Sequence, residues 1–220
     1  MTVQQLLQND VLPLQMEDAV HFALGLMDEL KVRELPVNSG DIFRGLLRED
    51  RLEQIADESL SLQSAQLNPE PLFTGQDRSL HHALRIMHSG ELSLLPVLDE
   101  NGLYCGYLSA EHLFHELGGL LSADVSGGVL VLEMAAEDYQ LSEIAQIMET
   151  NDLKILNATV RPVEMSTRIE VMLKTQSRDL SRALQTLARY EYKVQLAEFE
   201  DDRDLQLNER YEMLMKMLEI

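Results

Sequence analysis

Apolar positions in the first half of the chain fall into two matching blocks. Ala23, Leu24, Met27 and Leu30 lie at the spacing that places side chains on one face of a helix, and Ala83, Leu84 and Met87 repeat it sixty positions later. Each block continues into a short apolar run, residues 35–37 and 94–98, and then into a polar turn, Asn38-Ser39-Gly40-Asp41 and Asp99-Glu100-Asn101-Gly102. A run, a turn and a second run predict a hairpin. Residues 48–55 and 109–117 then predict second helices, the latter with Ser109 as its N-cap and Glu111 in its first turn. The correspondence holds residue by residue. His21, Ala23, Leu24, Met27, Leu35, Pro36 and Val37 face His81, Ala83, Leu84, Met87, Leu95, Pro96 and Val97, and after one inserted residue 45–52 faces 106–113. The repeated unit is helix, strand, strand, helix.

The polar stretch 56–71 predicts a linker, with room for a short helix, and the cluster Gly118, Gly119, Gly127 and Gly128 predicts a domain boundary. Beyond it the periods change again. Residues 129–132 predict a buried strand; Leu141, Ile144, Ile147 and Met148 a helix; 154–160 and 168–174 two paired strands around Pro162. Leu180, Ala183, Leu184 and Leu187 predict another helix, and 192–199 a last strand. The order βαββαβ is the split βαβ, ferredoxin-like plan, so the fold class is α+β. Leu207, Tyr211, Leu214, Met215 and Leu218 predict a C-terminal amphipathic helix over 201–220, which needs apolar surface on its own chain or on a partner.

Charge narrows the function classes. Eighteen Lys and Arg against 38 Asp and Glu leave a formal charge of −20, which repels phosphate backbones and anionic lipid and argues against nucleic-acid polymers and membranes as partners. The single cysteine, Cys105, forms no internal disulfide, and with no basic, apolar N-terminal segment the expected location is cytoplasmic. No Gly-rich phosphate loop, His-Glu-x-x-His pair or nucleophile elbow is present, so no enzyme is expected. His112 and His115 stand three apart beside Glu111 and Glu116, a spacing open to metal, but the repetition of His21 as His81 explains histidines by architecture, and no metal or cofactor is expected.

The stretch 95–113 resembles the cystathionine-β-synthase-type (CBS) domain, whose hairpin carries an apolar-Pro-Val run, a turn with Gly, and Gly-apolar-apolar-Ser/Thr-x-x-Asp. Pro96, Val97, Gly102, Gly106 and Ser109 match, with His112 at the Asp position; in the first copy Pro36, Val37 and Gly45 match, with Arg48 and Arg51 at the Ser/Thr and Asp positions. The resemblance implies tandem CBS units, 1–58 and 59–119, a Bateman-type module. The C-terminal half, 128–200, resembles an ACT domain, with Asp138 and Tyr139 where amino-acid-binding members carry Pro-Gly. The whole order is similar to the acetoin-utilisation-protein-B-like CBS proteins of bacteria. The resemblance implies a non-catalytic regulator that binds an adenine nucleotide or related metabolite through Arg48 and Arg51 in one cleft and through Gly106, Ser109 and His112 in the other. It also implies a homodimer and signalling to a further protein. A structural oligomerisation module with lapsed sites is the alternative.

Overall fold

A computed structural model describes residues 1–199; the amphipathic stripe predicted over 201–220 lies outside them. The chain divides into two compact units, Met1–Glu116 and a second that begins at Leu117.

In the first unit the repeat is visible as structure. One copy runs β1 (Leu14–Gln15), α1 (Val20–Leu30), β2 (Glu34–Ser39), β3 (Ile42–Arg48) and α2 (Glu49–Leu52). The other runs β4 (Thr74–Gly75), α3 (Leu80–Gly90), β5 (Leu94–Leu98), β6 (Tyr104–Ser109) and α4 (Ala110–Leu120). Each copy builds a three-stranded sheet, β1-β2-β3 and β4-β5-β6, with the first pair parallel and the second antiparallel. The opening strands are absent from the sequence reading because two residues carry no period. The predicted helix over 48–55 is one turn: Arg48 is extended, at φ −98 and ψ 145, and continues the β3 ladder opposite Glu34. Leu52 is the turn's buried residue, too small an apolar face to hold a longer helix. Its counterpart α4 is longer than predicted and passes through Gly118 and Gly119 to Leu120.

The two copies exchange edge segments. Gln8 bridges to Tyr107 beside β6, with Tyr107 N donating to Gln8 O at 2.8 Å and Gln8 N to Tyr107 O at 3.0 Å. Glu70 bridges to Leu46 beside β3 in the same way, at 2.8 and 2.7 Å. The matched glycines Gly45 and Gly106 make this possible: their φ values are +142 and +152, and a Cβ would press into the carbonyls of Glu70 and Gln8 respectively. One hydrophobic core runs through both copies, with Leu35, Val37, Leu94, Leu95 and Val97 wholly buried. The predicted linker contributes to it. Leu62 is buried, and the backbone N–H groups of Leu62 and Gln63 each donate at 2.9 Å to the carbonyls of Asp18 and Met16. The linker carries no helix.

The second unit comprises β7 (Gly128–Ala135), α5 (Leu141–Thr150), β8 (Ile155–Pro162), β9 (Arg168–Thr175), α6 (Ser181–Arg189) and β10 (Lys193–Phe199). Its strands line up as β10-β7-β9-β8, every neighbour antiparallel, which is the split βαβ arrangement. Burial alternates along β7: Leu130, Leu132 and Met134 pack in a core with Ile144, Ile147 and Met148 of α5 and Ala183, Leu184 and Leu187 of α6. No described helix is long and apolar enough to cross a membrane.

Tyr192 joins the start of β10 to α5, its hydroxyl donating to Glu143 Oε2 at 2.7 Å. Burial, and then this bond, push its pKa up to about 12 from 10.0. The phenol is therefore favoured neutral in the folded state, so its contribution is complete below the unfolded pKa and fades as pH rises through the folded one. The stability difference between the native chain and Tyr192→Phe should narrow between pH 10 and 12; urea unfolding at those pH values checks it, and a constant difference contradicts it.

Candidate functional site

The ends of β3 and β6 occupy equivalent places and lead into the helices that carry the candidate residues. Ser109 closes β6. Its hydroxyl accepts from His112 N at 3.1 Å, capping α4, and donates to Gln8 Oε1 at 2.8 Å, which also accepts from Ser109 N at 3.2 Å. The residue predicted to meet phosphate is thus held by a side chain from the N-terminal crossing segment. His112 stands half-buried one turn on, its ring without a hydrogen bond among the described residues, and Gly106 lies beneath the Gln8 carbonyl.

At the matching place in the first copy, Arg48 Nη1 donates to Gly90 O at 3.0 Å. Gly90 is the last residue of α3, where unpaired carbonyls and the helix dipole favour a cation. Arg51 is exposed and makes no hydrogen bond or ion pair among the described residues; Glu49, Asp50 and Glu53 do not hold it. The sequence places these arginines on one helical face. The structure instead puts Arg48 on the strand and Arg51 on the single helical turn, so they stand at one end of β3 with different duties.

Between the copies lies a residue that the sequence reading missed. Glu34 is fully buried, and its Oε1 accepts from Ser93 N and, at 2.8 Å, from Leu94 N. Arg33 N donates to Ser93 Oγ at 3.0 Å beside it. Glu34 Oε2 has no partner among the described residues. Glu34 is the cross-strand neighbour of Arg48, and Leu94 of Ser109, so this carboxylate ties the two candidate positions together through the backbone. The signal was present: in the aligned apolar-Pro-Val runs, Glu34 stands opposite Leu94.

In the second unit the turn singled out for its Asp138 and Tyr139 is a short 3₁₀ segment, Ala136–Asp138, and Tyr139 packs against the core. Beside it is a cavity of about 330 Å³ lined by Glu133, Asp138, Glu143, Arg168, Tyr192 and Lys193. Its cations are engaged, because Arg168 and Lys193 both pair with Glu133. Cys105 donates to Val97 O at 3.4 Å, and burial pushes its thiol pKa up, the reverse of what a nucleophile needs. Among the described residues no three His, Cys, Asp or Glu side chains are grouped to hold a metal ion.

No curated protein matches the chain. Among solved structures, a CBS domain pair/ACT domain protein from Thermotoga maritima is 24% identical, with 55% of this chain and 99% of that one covered at a TM-score of 0.48. The CBS domains of a transcriptional regulator from Streptococcus pneumoniae are 17% identical, with 52% and 98% covered at 0.47. CBSX2, solved in complex with AMP, is 20% identical, with 53% and 95% covered at 0.45. The family model described as the CBS domain matches residues 65–119, which take in β4 through most of α4, so the similarity to that family falls on the second repeat.

Proposed function

We propose that the protein is a non-catalytic regulator whose paired repeats bind an adenine nucleotide or related metabolite and report it to a protein partner, acting as a cytoplasmic homodimer. CBS domains commonly serve as regulatory ligand-binding modules, and the match over the second repeat carries this reading. The unpaired Arg51 supports it: in a chain of net charge −20, a guanidinium left without an acid at the end of β3 is available to a phosphate. The second unit is read as an ACT-type module like that of the acetoin-utilisation-protein-B-like proteins, supported by its split βαβ sheet. Tyr139, packed on the core, fills the turn against a free amino acid.

A second reading has its own observation. Arg48 is spent on Gly90, and the Ser109 hydroxyl on Gln8 and on its cap, as expected if the clefts have become joints of an oligomerisation module. Nucleotide titration separates the two. A ligand that binds the folded state raises its stability in a saturable way. AMP and ADP should raise the melting temperature more than adenosine does. Arg51→Ala should weaken AMP by about tenfold or more, since a charge-assisted contact contributes roughly 1.5–3 kcal/mol. No saturable shift with any of the three ligands would leave the oligomerisation reading in place.

A further inference from the structure

At the opposite end of the first sheet from Arg48, a cavity of about 380 Å³ opens between the β2–β3 turn and the segment joining the repeats. Its polar lining is Ser39, Arg44, Gln63 and Asn68, and Met16 and Leu67 form part of its apolar wall. None of the four polar side chains makes a hydrogen bond or ion pair among the described residues. The lining contains no acid, although acids outnumber Lys and Arg by 38 to 18 in the sequence. We propose that this cavity is a binding site for a small organic anion, a carboxylate or phosphate monoester with an apolar body.

The donor set fits that class. Arg44 offers a forked guanidinium, Gln63 and Asn68 offer amide N–H groups, and Ser39 offers a hydroxyl, all lining the one cavity and all suited to a charged head, while Met16 and Leu67 offer a wall to an apolar body. The volume is within the range of small-molecule pockets, roughly 300–1,000 Å³.

The other repeat shows why the site belongs to this one alone. Met16, Ser39 and Arg44 correspond to Gln76, Asp99 and Cys105. Two of these exchanges oppose an anion: a carboxylate replaces the hydroxyl, and a thiol replaces the guanidinium. The wall from Gln63 to Asn68 comes from the segment between the copies, so duplication of the repeat does not duplicate it. The site is thus distinct from the nucleotide clefts, and it does not depend on them.

Phenyl phosphate and benzoate are suitable probes, with benzyl alcohol as the uncharged control, titrated into the full-length ¹⁵N-labelled protein. Saturable movement of the Arg44 Nε–H and of the Gln63 and Asn68 side-chain amide signals is expected with at least one anion and not with the alcohol. The tighter anion identifies the head group. Arg44→Glu should raise the dissociation constant at least tenfold, and Arg44→Lys by less. Arg51→Ala should leave it unchanged; a matching loss in that variant would place the anion in the nucleotide cleft and overturn the proposal. Absence of saturable movement with both anions, or equal affinity in the native chain and Arg44→Glu, would overturn it as well.

Discussion

Gly106→Ala should cost the first unit about 3–5 kcal/mol, among the largest losses that one methyl group can cause. Two effects add. At φ +152 an L side chain is strained, and its Cβ would occupy the space of the Gln8 carbonyl oxygen, which accepts from Tyr107 N. Relief requires the crossing segment to withdraw, and withdrawal breaks the paired Gln8–Tyr107 bonds and the Gln8 hold on Ser109. Gly45→Ala should behave alike, since its Cβ would meet the Glu70 carbonyl. Gly102→Ala is the control: φ is +79 and nothing lies within 4 Å, so it carries strain without collision and should cost about 1 kcal/mol. Urea unfolding of the three variants decides the matter. If Gly106→Ala cost no more than Gly102→Ala, close approach of the crossing segment would not be what holds glycine there.

These glycines also mark how far the sequence could be read. Duplication exposed the helix and hairpin order, because Ala83, Leu84 and Met87 echo Ala23, Leu24 and Met27, and the apolar run 129–132 marked the first half of β7, whose burial alternates on to Met134 in the structure. Gly45 and Gly106 were visible as a matched pair. Their partners were not, because Gln8 and Glu70 belong to irregular segments whose contacts are set by the tertiary fold. The same limit applied to the site. Arg48, Arg51, Ser109 and His112 could be located from the repeat, but the hydrogen bonds that engage Arg48 and Ser109 come from Gly90 and Gln8, far away in the chain. Leu62 was read as part of a polar linker because its neighbours are Ser and Gln, and burial of one leucine leaves no period to detect.

Glu34→Leu tests whether hydrogen bonding or volume governs the joint between the repeats. Leucine is what the second repeat carries at this position, and exchanging a buried charge for a hydrophobe of similar size is often neutral or favourable. Here no cation among the described residues balances the carboxylate; its Oε1 serves two backbone donors, Ser93 N and Leu94 N, at the start of β5. Leucine fills the volume and leaves both donors unpaired in the interior, at roughly 1–3 kcal/mol each. The expected loss is therefore about 2–6 kcal/mol, nearly as large as for Glu34→Ala, which adds a cavity. Glu34→Gln should lose less, because its amide oxygen can keep both donors, while its NH₂ takes the place of an oxygen that has no partner. The order Gln, Leu, Ala from mildest to most severe, measured by urea unfolding, is the expected result. A Glu34→Leu protein as stable as the native chain would show that the backbone donors find other partners, and that Glu34 is not the strut between β2 and the start of β5.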